Sequence, residues 1–245
     1  VVYFCSGEWC VFILALTLKY SFLNFVDDQS IIPFMSPENT MKRGPGRPPK
    51  TDGSRLETRE RLVRCGIELL TEKGFASTGI DEVLKKVGVP KGSFYHYFSS
   101  KDDFGRAVID GYAAYFANKL DHWLLNENRA PLERLHDFVE DGKNGLKRFD
   151  FRRGCLIGNM GQELGSTHEE FRTPLDDVFL DWQHRVERCL KAAITAGELS
   201  AKADCGKIAA FFWIGWEGAV LRSKLVRSTA PLDLFADTFF ESLPR

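Results

Sequence analysis

The stretch Val87–Phe98, which reads VGVPKGSFYHYF, decides the fold. Gly88 supplies a tight turn, and Pro90 suits the opening turn of a helix because its ring fixes φ and its missing N–H is not needed there. The next residues, 91–98, are predicted to form a short helix that is both basic and aromatic. Residues 78–87 predict an equally short helix before the turn. Two short helices joined by a glycine turn indicate a helix-turn-helix.

The chain before this pair predicts a first helix that completes a three-helix head. Apolar residues at helical spacing predict a helix over residues 54–73, with Gly74 as its stop and Phe75 turned inward. Thr78 is predicted to cap the second helix, whose positive end then lies near Asp81. The positions expected to face the core of the head are Leu62, Cys65, Gly66, Leu69, Leu70, Ile80, Val83, Leu84 and Val87.

The aromatic residues of the third helix divide between two faces. Phe94, Tyr97 and Phe98 are expected to fill the core of the head. Tyr95 and His96 fall on the opposite face, where they are free to meet another molecule. A histidine on a surface has no function by default, so the role of His96 depends on the wider motif.

Charge is distributed unevenly along the chain. The net charge is only −1, but residues 41–101 hold 13 Lys/Arg against 7 Asp/Glu, whereas residues 102–245 hold 19 against 23. Binding to nucleic acid depends on where the charge lies, so the basic segment indicates contact with phosphates. We therefore predict a DNA-binding domain over residues 54–101.

The rest of the chain predicts a helical body and an all-α fold. Apolar residues do not alternate as they would in a sheet, and hydrophobic residues make up 44% of the chain, enough to bury a core. A long helix over residues 100–125 would connect the head to an effector-binding and dimerisation domain, residues 102–245. Further helices are predicted near residues 131–148, 154–164, 167–197, 203–227 and 231–243, with Pro131, Pro174 and Pro231 at or close to starts and Gly197 near a stop.

The residues before the head are expected to lie outside the packed fold. Residues 41–53 predict a basic flexible arm, because prolines and glycines prevent a helix there. The Gly-Arg-Pro at Arg47 is typical of hooks that enter a narrow minor groove, and a solvated tail is the alternative. Residues 1–40 are expected to be a non-native upstream extension or disordered. Their apolar stretch, residues 9–18, is too short to span a bilayer, although a weak membrane anchor is an alternative.

Gly74-Phe75, Thr78, the stretch Val87–Phe98 and Lys101 together resemble the DNA-binding head of the TetR family. The resemblance implies a homodimeric repressor that binds double-stranded operator DNA and releases it in response to a small molecule. It also implies that the last two helices pair with those of a second copy. The positions that it assigns to DNA are Thr78, Tyr95 and Lys101 for phosphates, and Lys91, Gly92, Ser93 and His96 for base edges.

Two stretches of the body are similar to one branch of that family, the acrylate- or electrophile-responsive repressors of the AcuR/NemR type. They are Arg152–Glu163, with a Gly-Cys-Leu element, and Trp213–Lys224. The resemblance implies a small unsaturated or electrophilic effector that binds or reacts at Cys155, Trp216 and Lys224. A nearby cation lowers the pKa of a thiol, which would make Cys155 reactive; an inert buried cysteine is the alternative.

Other classes of function are disfavoured by the sequence. The histidines form no HExxH motif, and there is no nucleophile elbow or phosphate-binding glycine loop, so we expect no enzyme. The scattered cysteines predict reduced thiols in a cytoplasmic protein and no metal site, cofactor or membrane partner. A non-enzymatic helical interaction protein without specific DNA binding is the alternative, and strong salt dependence of duplex binding would distinguish the two.

Overall fold

The computed structural model describes residues 52–245, and the regular structure in that range is entirely helical. This confirms the all-α prediction, with an N-terminal helix-turn-helix domain and a C-terminal helical domain. Residues 1–40 and residues 41–51 of the predicted arm, with Arg47, lie outside the described residues. Residues 52–53 were predicted to belong to the arm, but they form the first turn of the first helix. No helix within residues 52–245 is long and apolar enough to cross a membrane. The helices are α1 Asp52–Lys73, α2 Ile80–Val87, α3 Lys91–Phe94, α4 Lys101–Leu124, α5 Pro131–Arg148, α6 Leu156–Leu164, α7 Glu169–Thr195, α8 Cys205–Val226 and α9 Ala230–Glu241.

The head, formed by α1 to α3, has the turns that its glycines predict. Gly74 ends α1 at φ 86°, and Gly88 ends α2 at φ 73°, where its N–H donates to the Leu84 carbonyl at 2.9 Å. Both conformations lie in the left-handed region that favours glycine. Arg61 of α1 donates to the Val87 carbonyl at 2.9 Å and so holds the end of α2. The buried residues of the head include Leu62, Leu69, Leu70, Phe75, Val83, Leu84, Phe94 and Phe98.

Two predicted features of the head are wrong in detail. Thr78 does not cap α2: the cap residue is Gly79, without a side-chain hydrogen bond, because the Thr78 hydroxyl turns inward and donates to the Gly74 carbonyl at 2.7 Å. The third helix is also shorter than predicted, since α3 ends at Phe94. A tight turn follows, in which the N–H of Tyr97 donates to the Phe94 carbonyl at 2.9 Å.

The connecting helix α4 begins at a well-formed cap and runs through both parts of the fold. The Ser100 hydroxyl accepts from the N–H of Asp103 at 3.0 Å, while the Asp103 carboxylate accepts from the N–H of Ser99 at 2.8 Å. Such reciprocal bonds satisfy backbone donors that the first turn leaves unpaired. The helix packs against α1 in the head and against α7 and α5 in the body. Its buried aromatic residues are Phe104, Tyr112 and Phe116.

The body, formed by α5 to α9 with most of α4, packs around aromatic side chains. The Trp182 ring lies 4.3 Å from Phe116 and 5.1 Å from Trp213, measured between centroids. All three side chains are buried. Pro131 opens α5 and Pro231 lies in the first turn of α9, as predicted, whereas Pro174 lies inside α7. Gly197 follows the end of α7 at φ 76°.

The last two helices bury one face and expose another. Phe212 and Phe239 are buried in the monomer core, and Phe235 and Phe240 are partly buried against it. The side chains that stay exposed are large and apolar, with Phe211 at 56% and Ile214 at 74%. The apolar residues of the two helices that are predicted to pair with a second copy therefore divide between the core and the outer face. The other exposed apolar residues of these helices are Leu221, Leu225, Val226 and Leu234.

Candidate DNA-binding surface and effector site

The surface of α3 and the turn after it presents polar side chains to solvent. Lys91, Gly92, Tyr95 and His96 are exposed, with Tyr95 at 57%, and Ser93 is partly exposed. Their neighbours Phe94 and Phe98 are buried against Phe104, so the two faces are divided as the sequence predicts. The exposed face is free to meet DNA without any change in the core.

Lys91 has a partner on α2 in the absence of DNA. Its ammonium lies 3.0 Å from a carboxylate oxygen of Asp81, and this hydrogen bond raises the pKa of Lys91 above its ordinary value. Both side chains are about two-thirds exposed or more, so water screens the pair and it contributes little to stability. Lys91 can therefore exchange Asp81 for a base or a phosphate at small cost.

Gly92 lies in open space at the start of α3. A Cβ atom added there would meet no atom of residues 52–245 within 4 Å, so packing within that part of the chain does not require glycine. A reason outside the chain is the close approach of the α3 backbone to DNA.

Thr78 and Lys101 have internal partners in this structure. The Thr78 hydroxyl is buried and bonded to Gly74, and its contact with a phosphate stays a prediction. The Lys101 ammonium donates to the Ala76 carbonyl at 3.3 Å and lies 4.7 Å above the centre of the Phe75 ring. Lys101 thus holds the segment between α1 and α2 to the start of α4.

The predicted effector site surrounds the start of α6. Cys155 is the cap residue of α6, and its sulfur accepts from the N–H of Gly158 at 3.4 Å. The side chain is buried, and burial, with the negative charge of Glu217 next, raises the pKa of Cys155 well above its ordinary value. The resting thiol is therefore protonated, contrary to the expectation that a nearby cation makes it a thiolate.

Glu217 and Tyr112 are the polar partners of Cys155 that the sequence did not reveal. Burial raises the pKa of Glu217 to about 7, and its hydrogen bond with the Cys155 thiol opposes that shift. One carboxylate oxygen of Glu217 is buried and has no hydrogen-bond partner among the residues that the structure describes. Burial also raises the pKa of Tyr112, whose oxygen accepts from the N–H of Leu156. A carboxyl group that titrates near neutrality thus lies beside a buried thiol.

Lys224 lies on the side of this site where α8 meets α6. Its ammonium donates to the Asn159 side-chain oxygen at 3.5 Å, and burial lowers the pKa of Lys224. A Cβ atom on Gly154 would meet the Lys224 side chain at 2.7 Å, so glycine makes room for the lysine. The structure therefore brings Lys224 close to the Gly-Cys-Leu element, as predicted.

Trp216 lies in the aromatic core of the body. Its ring packs on Phe138 at 5.2 Å and on Phe212 at 5.9 Å between centroids. Gly142 of α5 leaves room for the indole, because a Cβ atom there would meet the ring. A direct role of Trp216 in effector binding stays a prediction.

A helix-turn-helix head joined to a helical body is the architecture of a DNA-binding regulator. Comparison with known families supports this class. Residues 62–108 match the family described as bacterial regulatory proteins, tetR family, and residues 131–239 match the tetracyclin repressor-like C-terminal domain.

Individual relatives agree with the family matches. The chain is 48% identical to the transcriptional regulator AcuR of Cereibacter sphaeroides over 79% of this chain and 88% of AcuR. It is 31% identical to the HTH-type transcriptional repressor NemR of Escherichia coli, over 72% of this chain and 89% of NemR. A crystal structure of a regulatory protein TetR from Rhodobacter sphaeroides, 48% identical, superposes with a TM-score of 0.73 over 76% of this chain and 98% of that one. The chain belongs to the TetR family of transcriptional regulators.

Proposed function

We propose that this regulator is a repressor that releases its operator when a small unsaturated or electrophilic effector, such as acrylate, binds or reacts at Cys155. The observation that carries the proposal is the buried contact between the Cys155 thiol and Glu217, close to Lys224. The similarity to AcuR supports the choice of acrylate as the first compound to test.

Operator recognition is assigned to the exposed face of α3 and to the residues around it. Lys91 and His96 would meet base edges in the major groove, with Gly92 and Ser93 allowing the backbone to approach. Tyr95 would bond a phosphate, and Arg47 would enter the adjacent minor groove. Thr78 and Lys101 complete the proposed phosphate contacts.

A homodimer is proposed through the exposed apolar face of α8 and α9. Phe211, Ile214, Leu221 and Leu225 follow one another at spacings that place them on one side of α8. Large apolar side chains exposed along one stripe favour burial against another surface. In a dimer, two recognition helices about 34–36 Å apart would meet successive major grooves on one face of DNA.

Cys155 and Glu217 would together add the thiol across an activated double bond. The sulfur would bond to the β-carbon of acrylate while the π bond breaks, and the thiol proton would pass to Glu217 and then to the α-carbon. No oxidant is needed for this addition. Reversible binding of a carboxylate to Lys224 is the other way in which acrylate would be sensed.

Operator release by acrylate and by methyl acrylate separates the two cases. The ester carries no negative charge and keeps the double bond. Operator release by methyl acrylate should therefore depend on Cys155 and not on Lys224. We expect Cys155→Ser to bind operator and to ignore methyl acrylate. We expect Lys224→Ala to respond to methyl acrylate and to need at least about fivefold more acrylate, the lower end of usual coupling.

Cys205→Ser is the matched control, because Cys205 is also a buried thiol and lies at the start of α8. It should respond as the wild type does. A normal response of both site variants to both compounds would contradict the proposed site. A wild-type protein that binds operator but ignores both compounds would contradict the effector class and leave operator recognition standing.

A further inference from the structure

The short helix α6 contacts the DNA-binding head directly. The carboxylate of Glu163, near the end of α6, accepts from the N–H of Phe75 at 2.7 Å and from the N–H of Ala76 at 2.6 Å. These two amides belong to the turn between α1 and α2. A carboxylate that accepts two backbone N–H bonds makes a strong and directional contact.

The turn is shaped to receive this carboxylate. Gly74 has φ 86°, and a Cβ atom there would meet a carboxylate oxygen of Glu163 at 2.9 Å. Phe75 is buried and packs on Phe171 of α7 at 5.6 Å between ring centroids. We call the two hydrogen bonds from the backbone N–H groups of Phe75 and Ala76 to the Glu163 carboxylate the carboxylate clamp.

A second contact between α6 and the head lies one turn earlier in the helix. The side-chain amide of Asn159 donates to the Thr71 carbonyl of α1 at 3.0 Å, and its oxygen accepts from Lys224 at 3.5 Å. Asn159 therefore joins the head to the proposed effector site through one side chain. Arg152 and Arg153, just before α6, also lie within 4 Å of the Glu72 carboxylate of α1.

The two ends of α6 thus have different partners. Cys155 and Gly158 at its start adjoin Glu217, while Glu163 at its end holds the head. Nine helical residues span only about 13 Å. One short helix therefore separates the proposed effector site from the clamp.

We propose that Glu163 and Asn159 are positioning residues that fix the orientation of the head for operator binding. Transmission of the effector's displacement through them is the part that rests on the proposed function. Without the clamp, the head can adopt more orientations relative to the body. Operator binding must then restrict these orientations at an entropic cost, so operator affinity falls although the recognition surface is unchanged.

The test is operator affinity without effector, measured for Glu163→Gln, Asn159→Ala and the double variant. Gln leaves one acceptor oxygen and turns a donor toward the second backbone N–H. We expect each single variant to weaken operator binding about five- to tenfold with wild-type helical content. Glu163 and Asn159 hold the same helix against the head, so the effects of their substitutions should not multiply. The loss of operator affinity in the double variant should be more than about threefold smaller than the product of the two single losses. The control Glu127→Gln removes an exposed carboxylate from the loop before α5 and should bind as the wild type does.

Hydrogen exchange gives a local measurement that does not depend on DNA. The amides of Phe75 and Ala76 should exchange at least about tenfold faster in Glu163→Gln, while the amides of α8 keep wild-type rates. Operator affinity of Glu163→Gln within twofold of the wild type would overturn the clamp, and so would unchanged exchange at both amides. Failure of acrylate to release the wild-type protein would contradict only the proposed effector, since neither measurement uses it.

Discussion

The proposed DNA-binding surface of α3 and the proposed effector site at the start of α6 place polar groups in opposite environments. Lys91 and His96 come from one short stretch of chain, and both are exposed. Cys155, Glu217 and Tyr112 come from three different helices or their caps, and burial shifts the pKa of each. The exposed side chains on α3 can exchange their partners easily because water solvates them. The buried side chains near α6 are costly to charge because they lack that solvation.

This difference in environment distinguishes the residues proposed to recognise DNA from the residues proposed to sense the effector. An exposed ion pair such as Lys91 with Asp81 can be exchanged for DNA at little cost. The charge of a buried carboxyl group such as Glu217 depends strongly on its surroundings, because burial raises its pKa to about 7. The side chains proposed to respond to a small molecule thus lie where solvent screens them least.

The largest expected effect tests the two faces of α3 through adjacent residues. Phe94 is fully buried among Phe98 and Phe104, so Phe94→Ala should destabilise the fold by about 3–5 kcal/mol. Tyr95→Ala, on the exposed face, should change the free energy of unfolding by no more than about 0.5 kcal/mol and should weaken operator binding. Denaturant unfolding and operator titration of both variants measure this contrast. Equal loss of stability in the two variants would contradict the division into faces.

The head could be predicted from the sequence because its signals are local. Gly74 and Gly88 mark turns through their own backbone conformation, and the alternation of Phe94 and Tyr95 marks two faces within one turn of chain. Thr78 was misassigned for a physical reason: a threonine before a helix can bond forward to the helix or backward to the preceding turn. Here the hydroxyl of Thr78 bonds backward, to the Gly74 carbonyl at 2.7 Å.

The effector site could be predicted only in part, because its residues meet through tertiary packing. The Gly-Cys-Leu element and Lys224 were found through family resemblance, and they do lie close together. Nothing in the sequence shows that Glu217 is buried beside Cys155, or that burial outweighs a nearby cation in setting the pKa of the thiol. Glu163 was equally hidden, since its partners are backbone N–H groups 87 and 88 positions earlier.

The pH dependence of stability tests the buried half of the comparison. The pKa of Glu217 is about 7 in the folded protein against about 4.3 for a solvated carboxyl group. Between these values the folded state binds the proton of Glu217 more strongly, so the contribution of Glu217 to stability is fully present below about pH 4.3 and is lost as pH rises through 7. Relative to Glu217→Gln, the wild type should lose about 2.5 kcal/mol of its free energy of unfolding between pH 5 and pH 8.

Denaturant unfolding of both proteins across that range measures the difference, since all other titrating groups are shared. Glu187→Gln provides a control, because Glu187 is an acid paired with Lys191 at the surface of α7. Its difference from the wild type should vary little over the same range. Parallel pH profiles for the wild type and Glu217→Gln would show that Glu217 is solvated, and the effector site would lose its buried acid.

The smallest expected effect belongs to single contacts of the exposed face with operator DNA. Lys91→Ala and His96→Ala should each weaken specific operator binding by about 1 kcal/mol, the lower end for a lost base contact. For Lys91 the low value has a physical reason, since the ammonium must first leave Asp81.

Lys202→Ala removes the same charge from an exposed position in the body and should leave specific binding unchanged. Titrations with operator and with unrelated duplex at one salt concentration separate base contacts from phosphate contacts, because only base contacts change the ratio of the two affinities. An unchanged ratio for both variants, with normal helical content, would remove α3 from base recognition and leave it as a phosphate-binding surface.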